Sequence, residues 1–154
     1  MTDPAAFFDY PGTGAGEAEP ELLPSWSDRQ WDALLDHAEA IRFRLGEQVV
    51  TAGEVDQSVL IVIEGTLEAV VPTGLTRRRY HLEPGSLVGE LAFFDGEPRS
   101  ADVVATSDGE LMSLSREAFE RFAARHPGLA RQLLMDLGKI LAHRLRRAQG
   151  LGRR

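Results

Sequence analysis

Apolar positions follow no steady period over residues 1–24, take up helical spacing just beyond, alternate through the middle of the chain, and return to helical spacing near its end. The first stretch is rich in Pro, Gly, Ala and Glu and reads as a flexible leader. Its aromatic cluster, Phe7, Phe8 and Tyr10, is out of character for a plain linker and is a candidate to dock on the domain or on a partner. Order is expected from Ser27. Ser27 and Gln30 form a capping-box pattern, and Trp26 and Trp31 stand where a hydrophobic staple would. Trp31, Leu34, Leu35 and Ala38 then mark a short amphipathic helix ending near Ala40.

At Ile41 the period changes. Ile41, Phe43 and Leu45 alternate with Arg42 and Arg44, as in a half-buried strand. Further β-rich runs are expected at Val49–Thr51, Val59–Ile63, Thr66–Val71, Arg77–Leu82, Ala101–Thr106 and Glu110–Ser113. Gly- and Pro-bearing turns separate them, a spacing that indicates a β-sandwich, barrel or jelly roll. Ser115 is a good N-cap for a helix carrying Phe119, Phe122 and Ala123 on one face, and His126-Pro127-Gly128 breaks that helix. A longer helix follows from Leu129 to Ala148, with Leu133, Leu137, Ile140, Leu141 and Leu145 read as its apolar stripe. The expected fold class is α+β: an antiparallel β-roll or jelly roll, a short N-terminal helix and two C-terminal helices. The organisation is a leader over 1–24, a domain over 25–148 and a basic tail over 149–154.

Composition narrows the function classes. An apolar fraction of 43% and a charged fraction of 27% are globular values. The chain has no cysteine, which removes disulfides, thiol catalysis and Cys-based zinc sites and fits a reducing, cytoplasmic setting. No apolar run approaches the ~18 residues of a membrane span, and the N-terminus lacks the features of a secretory signal. The net charge of −7 argues against nucleic acid as the main partner. The charge is nevertheless polarised. Acids crowd the leader, whereas after Asp136 every charged residue is basic, from Lys139 to Arg154. That is either a solvated helix end suited to the macrodipole or a contact for an acidic partner, a phosphate or the leader itself. His37, His81, His126 and His143 are scattered without metal-ligand spacing, and no nucleophile–base or acid–base constellation appears, so an enzyme is not expected.

One segment interrupts the strand series: Gly89-Glu90-Leu91-Ala92-Phe93-Phe94-Asp95-Gly96-Glu97-Pro98-Arg99-Ser100-Ala101. Gly89 lets the backbone turn and leaves room for a ligand. Residues 90–93 can form a helical turn whose leading amides favour an anion. Pro98 stiffens the return loop, and Arg99 offers a planar fork suited to two phosphate oxygens. Glu90 beside a phosphate would repel it unless it had a donor of its own to bind, and a sugar hydroxyl is such a donor. The plainer alternative is that Glu90 and Arg99 pair with each other as a structural ion pair.

This segment resembles the phosphate-binding cassette of the cyclic-nucleotide-binding domain family, shared by kinase regulatory subunits, cyclic-nucleotide-gated channels and bacterial catabolite activators. Leu45-Gly46-Glu47, Ala52-Gly53-Glu54, Ile61 to Leu67 and Leu82 to Ser86 also fall at the family's turn positions, so the resemblance spans about residues 30–147. It implies that Glu90 binds the ribose 2′-hydroxyl and Arg99 the cyclic phosphate. It further implies that Gly89, Leu91 and Ala92 supply amides, that Ser100 bonds the phosphate or base beside Ala101, and that the last helix is a lid placing Arg144 near the base. Val88 departs from the bulkier residue often found before the Gly-Glu pair, and Ala148 cannot make the hydroxyl–base bond of some members.

The resemblance thus implies a stand-alone sensor or regulatory subunit for cyclic AMP or cyclic GMP, signalling to an unidentified protein partner as the cassette and last helix close. A homodimer through the C-terminal helix is a further expectation. The alternative is a ligand-free protein-interaction module on the same fold. A transcription factor with a helix-turn-helix finds no room after the last helix, so no specific DNA binding is expected.

Overall fold

The alternation in the middle of the chain becomes eight strands, seen here in a computed structural model described over residues 19–73 and 76–148. The aromatic cluster of the leader and the tail 149–154 lie outside the described residues. Two four-stranded antiparallel sheets form the roll. One has the order β1 (Glu39–Phe43), β8 (Gly109–Ser115), β3 (Ser58–Glu64), β6 (Leu87–Val88); the other has β2 (Gln48–Val50), β7 (Asp102–Ala105), β4 (Leu67–Thr73), β5 (Thr76–Leu82). The two-residue β6 has no counterpart among the expected runs. Leu45, expected to continue the first strand, instead sits 70% exposed in the turn at Gly46, its amide held by Asp108 Oδ1 at 2.9 Å.

The chain builds two apolar layers. Phe43, Leu60, Val62, Leu67, Leu82, Val88, Val103 and Leu111 fill the space between the sheets. Val59, Leu87 and Leu114 face the other way and pack under the helices. β3 is therefore covered on both sides, which is why Val59–Ile63 is a continuous apolar run rather than an alternating one.

Helix α1 (Asp28–Leu35) starts as its sequence dictates. Ser27 accepts from the Gln30 amide, Gln30 accepts from the Ser27 amide, and the Trp26 and Trp31 rings meet edge to face at 5.4 Å. It ends before Ala40, because the amides of His37 and Ala38 turn back to Leu34 and Leu35 and tighten the last turn. Ser27→Ala is expected to cost about 1 kcal/mol, read as a lower midpoint in urea denaturation.

Two helices complete the second layer. In α3 (Arg116–Arg125), Ser115 caps the start and Ala118, Phe119 and Phe122 are buried. α4 (Pro127–Ala148) begins two residues earlier than the break at His126-Pro127-Gly128 suggests. Proline is tolerated in the first turn, where its missing N–H has no partner to lose, and His126 O already accepts from Ala130 N at 2.9 Å. The buried stripe of α4 runs through Ala130, Leu133, Leu137, Ile140 and Arg144, whereas Leu145 is 46% exposed. The expected stripe thus drifts by one position at its end, and a charged residue takes the buried place.

Residues 19–24, the end of the expected leader, pack against the helices together with the start of the domain. Leu23 is buried, and three contacts lay the segment antiparallel along α4. Trp26 Nε1 donates to Gln132 Oε1 at 2.7 Å, Leu23 N to Asp136 Oδ2 at 2.7 Å, and Glu19 receives Arg144. Their helix positions, 132, 136 and 144, share one face at multiples of four residues. Among the described residues, no helix is long and apolar enough to cross a membrane.

Candidate ligand-binding site

Between β6 and β7 lies helix α2 (Glu90–Asp95), preceded by Gly89 at φ +82° and followed by Gly96 at φ +71°. A side chain is strained at either φ. The first intrahelical bond is Phe93 N to Gly89 O at 3.1 Å, so the amides of Glu90, Leu91 and Ala92 precede the ladder and lack a helical partner. They border a cavity of about 230 Å³, whose lining includes Gly89, Glu90, Leu91, Ala92, Arg99, Ser100 and Ala101. Seven of the eight residues expected at the site therefore meet in one cavity. Val88, the departure noted in the sequence, packs into the roll beneath it.

The eighth, Arg144, does not line that cavity. It is 2% exposed and reaches Glu90 from behind: Nη1 donates to Glu90 Oε1 at 2.6 Å, Nη2 to Leu87 O at 3.0 Å, and the Nε–Nη2 edge grips the Glu19 carboxylate, with Nη2 to Glu19 Oε2 at 3.0 Å. Glu90 is thus paired with Arg144, and the alternative of a Glu90–Arg99 pair is not what the structure forms. The partnership is incomplete. Glu90 Oε2 is buried without a protein hydrogen-bond partner, and a buried polar atom in that state calls for a missing donor.

Arg99 is positioned by backbone. Its Nη2 donates to Ser58 O at 2.8 Å and its Nη1 to Gly89 O at 3.2 Å, while Asp56 Oδ2 lies 3.6 Å away. These bonds occupy two of the guanidinium's N–H donors and leave the others for a ligand. The Arg99 main chain is fixed as well, because its amide donates to Glu54 O and its carbonyl accepts from Gly53 N, each at 2.8 Å. The turn at 53–54 therefore sets the height of Arg99 in the cavity wall. That tie was invisible in the sequence, where Gly53-Glu54 is only a turn. Glu90, Asp95 and Glu97 outnumber Arg99 in the lining, so an anion would be held by direct bonds rather than drawn by a favourable field.

A roomier hollow of about 610 Å³ lies between residues 19–22 and the outer face of β3. Its lining has Glu21 and Glu83 but no Lys or Arg to receive a phosphate. His37 and His126 serve packing: His37 bonds Ala33 O and meets the Phe122 and His126 rings edge to face. Among the described residues no group of His, Asp and Glu is placed to hold a metal ion.

Residues 40–126, more than half the chain, match the cyclic nucleotide-binding domain family, and the chain belongs to it. It is 31% identical over 129 residues to the cyclic AMP receptor protein of Thermus thermophilus, covering 82% of this chain and 58% of that one. It is 27% identical over 118 residues to the cAMP-dependent protein kinase regulatory subunit of Colletotrichum orbiculare, covering 77% of this chain and 30% of that one. The chain thus spans between about three-tenths and three-fifths of these relatives' length. Among solved structures, the Thermus thermophilus catabolite activator protein superposes with a TM-score of 0.74 at 28% identity, covering 83% of this chain and 59% of that one. The α+β fold, with its sandwich of eight strands, short internal helix and C-terminal helix pair, is that of the family.

Proposed function

We propose that the chain is a cyclic-nucleotide sensor whose ligand is cyclic AMP, bound with its phosphate on Arg99 and its ribose on Glu90. The observation that carries this reading is the meeting, in one cavity, of a guanidinium with donors to spare and a buried carboxylate with one oxygen unpartnered. A cyclic nucleotide offers the complement to both: an anion with two free oxygens, and close to it a hydroxyl donor. The amides of Glu90 to Ala92 add donors to the phosphate, and Ser100, at the cavity's exposed lip, reaches phosphate or base. The relatives named for cyclic AMP favour adenine over guanine.

Signalling follows from where α2 is tied. Ligand engaging Glu90 draws on Arg144, and through it on the end of α4. The equilibrium between open and closed helix arrangements then shifts towards the form that binds better, and a partner protein reads the change. No catalytic step is part of this reading.

Ligand at about 100 times its dissociation constant should stabilise the fold by about 2.7 kcal/mol, a rise in melting temperature of roughly 10 °C for a domain this size. Arg99→Ala should abolish the rise. Its own melting point will also be lower, since Ser58 O and Gly89 O lose their donors, so the comparison is of shifts and not of starting values. If neither cyclic AMP nor cyclic GMP moves the wild-type transition, the sensor reading fails and the ligand-free interaction module takes its place. Isothermal titration with the two nucleotides decides between the bases.

A further inference from the structure

The triad at the back of the cavity holds two carboxylates on one guanidinium, all three side chains at most 5% exposed. The division of the guanidinium between them is unequal. Glu19 takes the Nε–Nη2 edge with both of its oxygens, while Glu90 has a single bond from Nη1. An arginine fork pairs best with a carboxylate through two parallel bonds. With the Nε–Nη2 edge filled by Glu19 and the second Nη2 hydrogen held by Leu87 O, Arg144 offers Glu90 only Nη1, and Glu90 Oε2 is left without a protein partner.

We propose that Glu19 is a positioning residue of the nucleotide site: by occupying the two-donor edge of Arg144 it keeps Glu90 singly bound, so that Oε2 stays available to the ribose 2′-hydroxyl. The inference rests on the cyclic-nucleotide reading and adds to it a residue outside the cassette, in the segment that precedes the first helix. Without Glu19, nothing pins the Nε–Nη2 edge, and Arg144 is free to give up its bond to Leu87 O and turn a two-donor edge to Glu90, which then takes both bonds and draws Oε2 away from the ligand. The same geometry links the nucleotide to residues 19–26. That segment is anchored along α4 by Leu23 and Trp26, so Glu19 meets Arg144 only while the segment lies in place. Anything that lifts the segment from α4 should weaken the ribose contact, and by reciprocity the ligand should hold the segment down.

The test uses cyclic AMP and its 2′-deoxy analogue, titrated calorimetrically into the unaltered chain, Glu19→Ala and Glu19→Gln. A hydrogen bond to a charged group is worth about tenfold or more in affinity. Glu19→Ala should therefore weaken cyclic AMP binding about tenfold while changing binding of the deoxy analogue less than about twofold. Glu19→Gln, which keeps the shape and loses the charge, should repeat the pattern in smaller measure. A general structural role for Glu19 would weaken both ligands alike, and that result, or no change for either, overturns the proposal. An unaltered chain that binds both ligands equally overturns it too, because Glu90 would then not be reading the hydroxyl. An unaltered chain that binds neither overturns the sensor reading itself, and the inference with it.

Discussion

Arg144→Met is expected to lower the stability of the domain by about 3–5 kcal/mol, the cost of leaving a buried charge without its partner. For a domain of this size that corresponds to a melting temperature lower by roughly 10–20 °C, followed by circular dichroism. The size of the effect comes from what remains behind. Glu90 is 2% exposed, and Arg144 Nη1 supplies the hydrogen bond to its Oε1, so the variant leaves both carboxylate oxygens buried without a protein donor at the back of the cavity. Glu19 is the lesser problem, since it is only part-buried as a residue and its side chain can turn out to water. The double variant Arg144→Met with Glu90→Gln removes the stranded charge and should recover more than half of the loss, because the two changes act on one pair and are not additive. A single variant that melts like the unaltered chain would mean that the triad is not held as described. The prediction also separates stability from binding. The double variant folds but offers the ribose a neutral amide in place of the charged acceptor, so it should show a smaller rise with cyclic AMP than the unaltered chain.

That triad marks the limit of what sequence patterning conveys. Most strands were legible because alternation, apolar runs and turn residues are local properties, and the cassette because Gly, Glu, Pro and Arg in that order each answer a separate physical demand. Ten residues of the cavity lining, the seven expected at the site among them, come from that one segment. Arg144 was legible as a residue of the last helix, but not as the partner of Glu90. A spacing argument prefers Leu141 and Leu145 for the stripe because they are apolar, yet the buried position falls to Arg144. Its burial depends on Glu90, 54 positions away, and Glu19, 125 positions away, and no window along the chain contains both. Glu19 itself reads as one more acid in a leader until α4 is placed beside it. β6 was missed for a different reason: two residues between Gly85 and Gly89 are too few to show a period. Arg99 falls between these cases, since its residue type announces an anion ligand, while its placement depends on the carbonyls of Ser58 and Glu54, which have no signature in sequence.

Gly89→Ala should destroy ligand binding outright while leaving a folded, weakened domain, and Gly96→Ala supplies its control. Both glycines flank α2 in the left-handed region, at φ +82° and +71°, where an added Cβ costs about 1–2 kcal/mol. Backbone strain is thus common to the two variants, and the surroundings differ. At Gly96 the new methyl group would meet Gln57 Nε2 at 3.1 Å, the end of a flexible side chain that can move aside. At Gly89 it would lie 2.9 Å from Ser58 O, in the backbone of a strand covered on both faces, and would clash with Arg99 Nη1. Ser58 cannot retreat, so Arg99 must. It then gives up its bonds to Ser58 O and Gly89 O, and with them the position from which it faces the cavity. The lost bonds raise the expected destabilisation of Gly89→Ala to about 2–4 kcal/mol. Gly96→Ala should stay near the cost of strain alone and keep a cyclic AMP-induced rise in melting temperature close to that of the unaltered chain. If Gly89→Ala retains the same rise, Arg99 does not hold the phosphate from the place it occupies. If Gly96→Ala loses the rise as fully as Gly89→Ala, the shape of α2 matters to the ligand more than the guanidinium behind it.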